Sequence, residues 1–108
     1  MNPQVPTVEI GQLPDDAPLL DVREDDEWQA GHAPGAVHVP MSELAGRLDD
    51  VPAEGTVYVI CRAGGRSARV VQYLNANGWD AVNVDGGMLD WQAAGRPLTA
   101  DQGTPQVI

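Results

Sequence analysis

The sequence predicts a small α/β domain built on a mainly parallel central sheet flanked by helices. Three observations carry that prediction. Apolar, β-prone runs alternate with amphipathic stretches along most of the 108 residues. The run Thr56–Ile60 is β-branched and aromatic without interruption, as in a strand covered on both faces. Residues 66–77 follow it at once with helical spacing. A chain of this length argues for one domain with a single core.

The elements follow in order. Leu19–Val22 reads as a short strand after the turn-like "PDDAP". "REDDEWQAGH" reads as a helix whose acids crowd the first turn, where the helix dipole favours them, and Gly31 can end it. Ala36–Val39 is a second short strand, entered through Pro34–Gly35. Ser42 is the expected N-cap of a short helix reaching Leu48. After the strand at 56–60, Val70, Val71 and Leu74 define the apolar stripe of the next helix, stopped by Asn77–Gly78. Ala81–Val84 is another core strand. Gly86–Gly87 opens a last short helix carrying Leu89, Trp91 and Ala94. Residues 1–98 therefore form the expected domain. The tail 99–108 has no periodicity and is expected to be mobile or to lie along the surface.

Composition narrows the function. The formal net charge is -10, so the surface repels nucleic acid and anionic lipid. No apolar run reaches the roughly 20 residues that span a bilayer, and the N-terminal "MNPQVPTVEIG" has neither the basic nor the apolar part of a secretory signal. A single cysteine leaves no internal disulfide, and the few Cys and His do not cluster as a zinc site requires. Neither a metal nor a cofactor is expected. The default location is the cytoplasm, where thiols stay reduced. With no obvious apolar patch, a monomer is expected.

All six cations are arginines, and three of them fall at 62, 66 and 69. A local positive spot in an acidic chain suits a small anion. It surrounds the lone thiol: Cys61 ends the strongest strand, and Arg62–Ala63–Gly64–Gly65 leads into the helix. In open α/β sheets ligands bind at the carboxyl ends of strands. Glycines let successive amides turn inward as an anion nest, and the helix N-terminus adds partial positive charge. An ordinary cysteine ionises near pH 8.5, roughly, and such surroundings lower that value. A lone cysteine at a strand end is more often an inert small hydrophobe. The Gly-Gly-Arg that follows tips the reading toward a reactive thiolate.

Four segments share a pattern. They are "LLDVREDDEWQAGHAPGAVHVP" (19–40), "MSEL" (41–44), "VYVICRAGGRSARVVQYLNANG" (57–78) and "AVNVDGGMLDWQAAGRPL" (81–98). Together they resemble the rhodanese (thiosulfate sulfurtransferase) family in its single-domain form, from about Val8 to Leu98. The resemblance implies a rhodanese-like fold and a double displacement through a persulfide on Cys61. The donor would be a small sulfur anion such as thiosulfate, or a persulfide. The acceptor would be cyanide, a thiol or a thiol protein. Cys61 would be the nucleophile. The backbone of Arg62, Ala63, Gly64, Gly65 and Arg66 would cradle the sulfur, in the manner of an oxyanion hole. Arg62 could meet the donor at the rim, Arg66 would close the loop, and Ser67 could cap the helix or donate to sulfur. Cys61 to Arg66 is C-x4-R, one residue shorter than the C-x5-R loop of cysteine phosphatases. That argues against a phosphatase or arsenate reductase on the same fold. A sulfur carrier or partner-binding module with little turnover remains the alternative.

The chain departs from the family pattern in having no phenylalanine, so that Trp28, Trp79 and Trp91 stand at aromatic positions. It also has Ala33 in "GHAPGA" and an abbreviated element before Leu19. Several polar residues read as structural. Asp21 and Arg23 would satisfy loop backbone and each other, and His32 would bond backbone at the turn. Asp85 and Asp90 would cap or face solvent. His38 is assigned no role, and Trp91 reads as a core anchor.

Overall fold

A computed structural model describes residues 5–108. Five parallel strands form one sheet: β1 (Thr7–Val8), β2 (Leu19–Asp21), β3 (Val37–His38), β4 (Thr56–Ile60) and β5 (Asp80–Val84). Their order is β1-β5-β4-β2-β3, which puts the most apolar strand at the centre. Three α-helices accompany them: α1 (Asp25–Ala30), α2 (Gly65–Ala76) and α3 (Gly87–Ala93).

Alternation along the strands divides the core into two clusters. Leu20, Val57, Val59, Cys61 and Ala81 meet Val70, Val71 and Leu74 of α2 on one face. Leu19, Ile60 and Val84 meet Met88 and Trp91 of α3 on the other, with Leu13 and Ala33. Cys61 therefore continues the β4 alternation onto the α2 face. Trp91 is buried and donates its indole N–H to the Pro97 carbonyl at 2.8 Å, the anchor expected of it.

Some elements differ from the sequence reading. The segment before Leu19 contributes the edge strand β1 and a 3-10 turn at Ile10–Gln12. The helix expected from Ser42 to Leu48 is instead two 3-10 stretches, Met41–Gly46 and Leu48–Asp50. Ser42 is not its cap: Pro40 stands at that position, and the Ser42 hydroxyl donates to Glu24 Oε1 at 3.0 Å. The cap of α1 comes from an acid. Glu24 and Glu27 form a reciprocal capping box, with the Glu24 N–H donating to Glu27 Oε1 at 3.0 Å.

The tail lies along the surface. Thr99 and His32 exchange two backbone bonds in an isolated antiparallel bridge. The Gln106 N–H donates to the Ala30 carbonyl at 2.9 Å, and the Val107 N–H to Gln92 Oε1 at 3.1 Å. Gly31 makes this passage possible, because a Cβ there would collide with the Gln106 backbone. No helix among the described residues is long and apolar enough to cross a membrane.

Candidate active site

The loop after β4 turns its amides inward because its carbonyls are occupied elsewhere. At the start of α3, the Met88 N–H donates to the Cys61 carbonyl at 2.8 Å and the Leu89 N–H to the Arg62 carbonyl at 3.0 Å. Gly87 must be glycine for this approach: its φ is +53° and a Cβ would collide with both carbonyls. Gly64, with φ of +113°, takes the left-handed turn into α2. Its N–H then reaches Cys61 Sγ at 3.1 Å, and the Ser67 N–H, in the first turn of α2, reaches it at 3.4 Å. The Ser67 hydroxyl lies 3.2 Å from Sγ. Of the cradle residues expected over 62–66, Gly64 has its amide within hydrogen-bond distance of Sγ and the Ala63 amide also favours the anion; Ser67, expected as a cap or a donor to sulfur, adds its own N–H.

Cys61 is only 1% exposed. Burial pushes its thiol up. The Ser67 hydroxyl and the amides of Ser67, Gly64 and Ala63 push it down, and together they win, leaving it below the usual cysteine value. The leading contributions to the depression are neutral dipoles, although the Arg66 cation and the sulfur anion also attract each other. Arg66 points away from the sulfur into a bidentate pair with Glu27 of α1, at 2.7 and 2.9 Å. The Arg66 guanidinium in turn holds the Glu27 carboxyl below the usual carboxylate range, against the opposing effect of burial. Arg62 sits on the exposed rim, where its Nε donates to the Ile108 carbonyl at 2.9 Å.

The structural assignments of the other polar residues hold, with one addition. Asp21 and Arg23 are fully buried and joined by three side-chain bonds of 2.8–3.1 Å. Arg23 also donates to the carbonyls of Gly31 and Glu27, tying the end of β2 to α1. His32 donates Nδ1–H to the Trp28 carbonyl at 2.7 Å. His38, given no role from the sequence, donates Nε2–H to the Arg23 carbonyl at 2.7 Å. Trp28 stacks between the two histidines, with ring centroids 3.6 and 4.5 Å away. None of these groups contacts the sulfur.

One site residue was missed. Asn83 of β5 is 5% exposed and accepts a hydrogen bond from Ser67 Oγ at 2.6 Å. The signal for it is the spacing in "AVNV": position 83 shares a face with Ala81, which is the face α2 covers.

Comparison with known proteins agrees with this architecture. The family model described as a Rhodanese-like domain matches residues 8–94. "Putative sulfurtransferase YtwF" of Bacillus subtilis is 39% identical over 79 residues, covering 73% of this chain and 77% of its own. A protein named "Sulfurtransferase" from Allochromatium vinosum is 33% identical, covering 82% and 84%. Three longer relatives are spanned by this chain for only 38%, 40% and 60% of their length. The crystal structure of a rhodanese-related protein from Thermoplasma volcanium matches at a TM-score of 0.83 and 29% identity, over 89% of this chain and 99% of that one. With its five parallel strands, its inward-facing cysteine loop and these matches, the chain belongs to the rhodanese-like domain family.

Proposed function

We propose that the protein is a sulfurtransferase that carries sulfane sulfur on Cys61. The observation behind this reading is the pair of fixed amide donors on Sγ, from Gly64 and Ser67, around a buried thiol, with the Ser67 hydroxyl beside it and no histidine base in contact. Such donors favour the thiolate without a proton acceptor beside it. The thiolate attacks the outer sulfur of thiosulfate, a new S–S bond forms, and sulfite leaves with the electron pair of the old one. An acceptor thiolate or cyanide then attacks the outer sulfur, and Cys61 departs as thiolate. Dividing the transfer in this way is covalent catalysis. The amides of residues 62–67 would hold the terminal sulfur anion, in the manner of donors aimed at developing charge. Arg62 on the rim is suited to meet the anionic donor.

Intact-mass measurement tests the reading. Incubation with thiosulfate adds one sulfur, about 32 Da, to the wild-type chain and nothing to Cys61→Ser. A wild-type chain that gains no mass with thiosulfate or with a low-molecular-weight persulfide overturns it. Hydrolysis of aryl phosphates at rates matching sulfur loading would point instead to a phosphatase.

A further inference from the structure

We propose that Asn83 is a positioning residue that holds the Ser67 hydroxyl hydrogen away from Cys61 and so sets how strongly the sulfur anion is solvated by the loop. The direction of the bonds follows from what each atom can do. Asn83 Nδ2 faces the Gly64 carbonyl at 3.4 Å, which only accepts, so Oδ1 faces Ser67. Oδ1 also only accepts, so the 2.6 Å contact requires Ser67 to donate its single hydrogen to Asn83. Ser67 Oγ then presents a lone pair to Sγ at 3.2 Å. That arrangement suits the thiol, whose S–H can donate to Oγ.

Loss of the thiol proton to solvent makes it unfavourable. The hydroxyl must either keep its lone pair against the sulfur anion or rotate toward it and leave the buried Oδ1 of Asn83 without a donor. Either choice costs free energy that the other donors must offset. A Cys61 that carries a second sulfur has a neutral, divalent Sγ, and Ser67 can return to Asn83. The penalty therefore falls on the free thiolate alone. It keeps that thiolate less stabilised and more nucleophilic than the same loop without Asn83 would.

The charged groups around the sulfur do not substitute for this control. Arg66 from α2 is paired with Glu27 from α1, and Arg62 is turned to the Ile108 carbonyl. Asp21 at the end of β2 is paired with Arg23, and Asp85 follows β5 beside Gly64. Asn83→Leu replaces none of these charged residues; it keeps the branching and heavy-atom count of the side chain while removing the acceptor, and Asn83→Ala removes it without added volume.

The experiment is the pH profile of Cys61 alkylation by iodoacetamide in the full chain, run for wild type, Asn83→Leu, Ser67→Ala and the double variant. Asn83→Leu should raise the acid dissociation constant of the thiol about tenfold, as the released hydroxyl turns to the anion. Its limiting rate at high pH should fall about threefold, because a better-solvated thiolate attacks more slowly. Adding Asn83→Leu to Ser67→Ala should change neither quantity, since no hydroxyl remains to direct. An unmoved or raised midpoint in Asn83→Leu overturns the proposal, as does an equal shift in the Ser67→Ala background. Asn83→Ala is read by the same criteria, which covers poor folding of the leucine variant. The catalytic consequence rests on the sulfurtransferase reading, but the titration does not: failure to load sulfur and failure of the coupling are separate results.

Discussion

The fully buried pair Asp21–Arg23 makes a quantitative prediction about what holds the site in place. Asp21→Asn preserves the side-chain shape but removes the charge that Arg23 faces at 2.8–3.1 Å. Arg23 cannot lose its proton at any accessible pH, so an uncompensated cation stays in a site with no exposed surface. Removing one partner of such a pair costs about 3–5 kcal/mol. Against a typical domain stability of roughly 5–15 kcal/mol, that is a large fraction. With a urea slope near 1.5–2 kcal/mol/M, the unfolding midpoint should fall by roughly 1.5–3 M. The double variant Asp21→Val/Arg23→Met removes both charges and should be less damaged. It still leaves the Gly31 carbonyl without its Arg23 donor, worth about 1–3 kcal/mol, so recovery is incomplete. Equilibrium urea unfolding followed by tryptophan fluorescence reads all three chains. A loss below about 1 kcal/mol in Asp21→Asn, a scale typical of exposed pairs, would refute the claim that this pair acts as a buried ion pair.

Glu27 should give the protein part of its acid sensitivity. Its carboxyl titrates lower when folded, held chiefly by Arg66, so its stabilisation is present above the ordinary value of 4.5 and is lost as pH falls through the lower folded value. Glu27→Gln should therefore reduce stability at pH 7 and flatten the acid limb of the stability–pH curve below about 4.5; an unchanged acid limb would contradict it. The two loop glycines should behave differently. Gly64→Ala forces a Cβ into a left-handed backbone at about 1–2 kcal/mol and should slow Cys61 alkylation, whereas Gly65, with open space around it and no left-handed φ, should tolerate alanine with near-native reactivity. Equal effects at the two positions would show that the left-handed turn is not what aims the amide.

The parts of the molecule legible in the sequence are those set by short-range pattern. Thr56–Ile60 is an unbroken β-branched and aromatic run because both of its faces are covered, and α2 shows a stripe at helical spacing because a single face meets the sheet. Cys61 with its glycines reads as a site because the residue types and their order are themselves the chemistry. Elements that depend on distant partners did not read. β1 is two residues long and exists through its pairing with β5, more than 70 residues away. Ser42 has the composition of a cap, but a hydroxyl takes whichever acceptor is near, and Glu24 is brought to it by tertiary structure. Arg23 pairs with Asp21 and bonds loop backbone as expected; its complete burial, against the rule that arginine stays at the surface, is what depends on Glu27 and Gly31 supplying two distant carbonyls. The tail shows no periodicity because it is held by backbone bonds, by the Gln92 and Arg62 side chains and by the single packed residue Val107, rather than by a regular apolar face. Asn83 could be placed on a face, but its partner Ser67 lies 16 residues earlier, and no local pattern joins them.

The largest revision concerns what charges the site. The cluster of arginines around Cys61 suggests that cations stabilise the sulfur anion, yet Arg66 is neutralised by Glu27 and Arg62 is engaged on the rim. What remains beside Sγ is a set of neutral dipoles, fixed because α3 holds the loop carbonyls and Gly64 turns the chain. This distinction has physical consequences. A mobile cation beside an anion is screened by salt and collapses onto whatever charge is present, whereas buried amides hold their orientation and are screened little. Fixed dipoles also add together over a small volume, so in the proposed cycle the amides nearest Sγ would serve the thiolate and others of the loop would serve a terminal sulfur one bond further out. An ion pair on the sulfur would bind the free thiolate most tightly and make it a poorer nucleophile. In an acidic protein, pairing Arg66 with Glu27 leaves the anion mainly to the backbone, and under the proposed sulfur transfer that backbone would serve the thiolate and the persulfide alike.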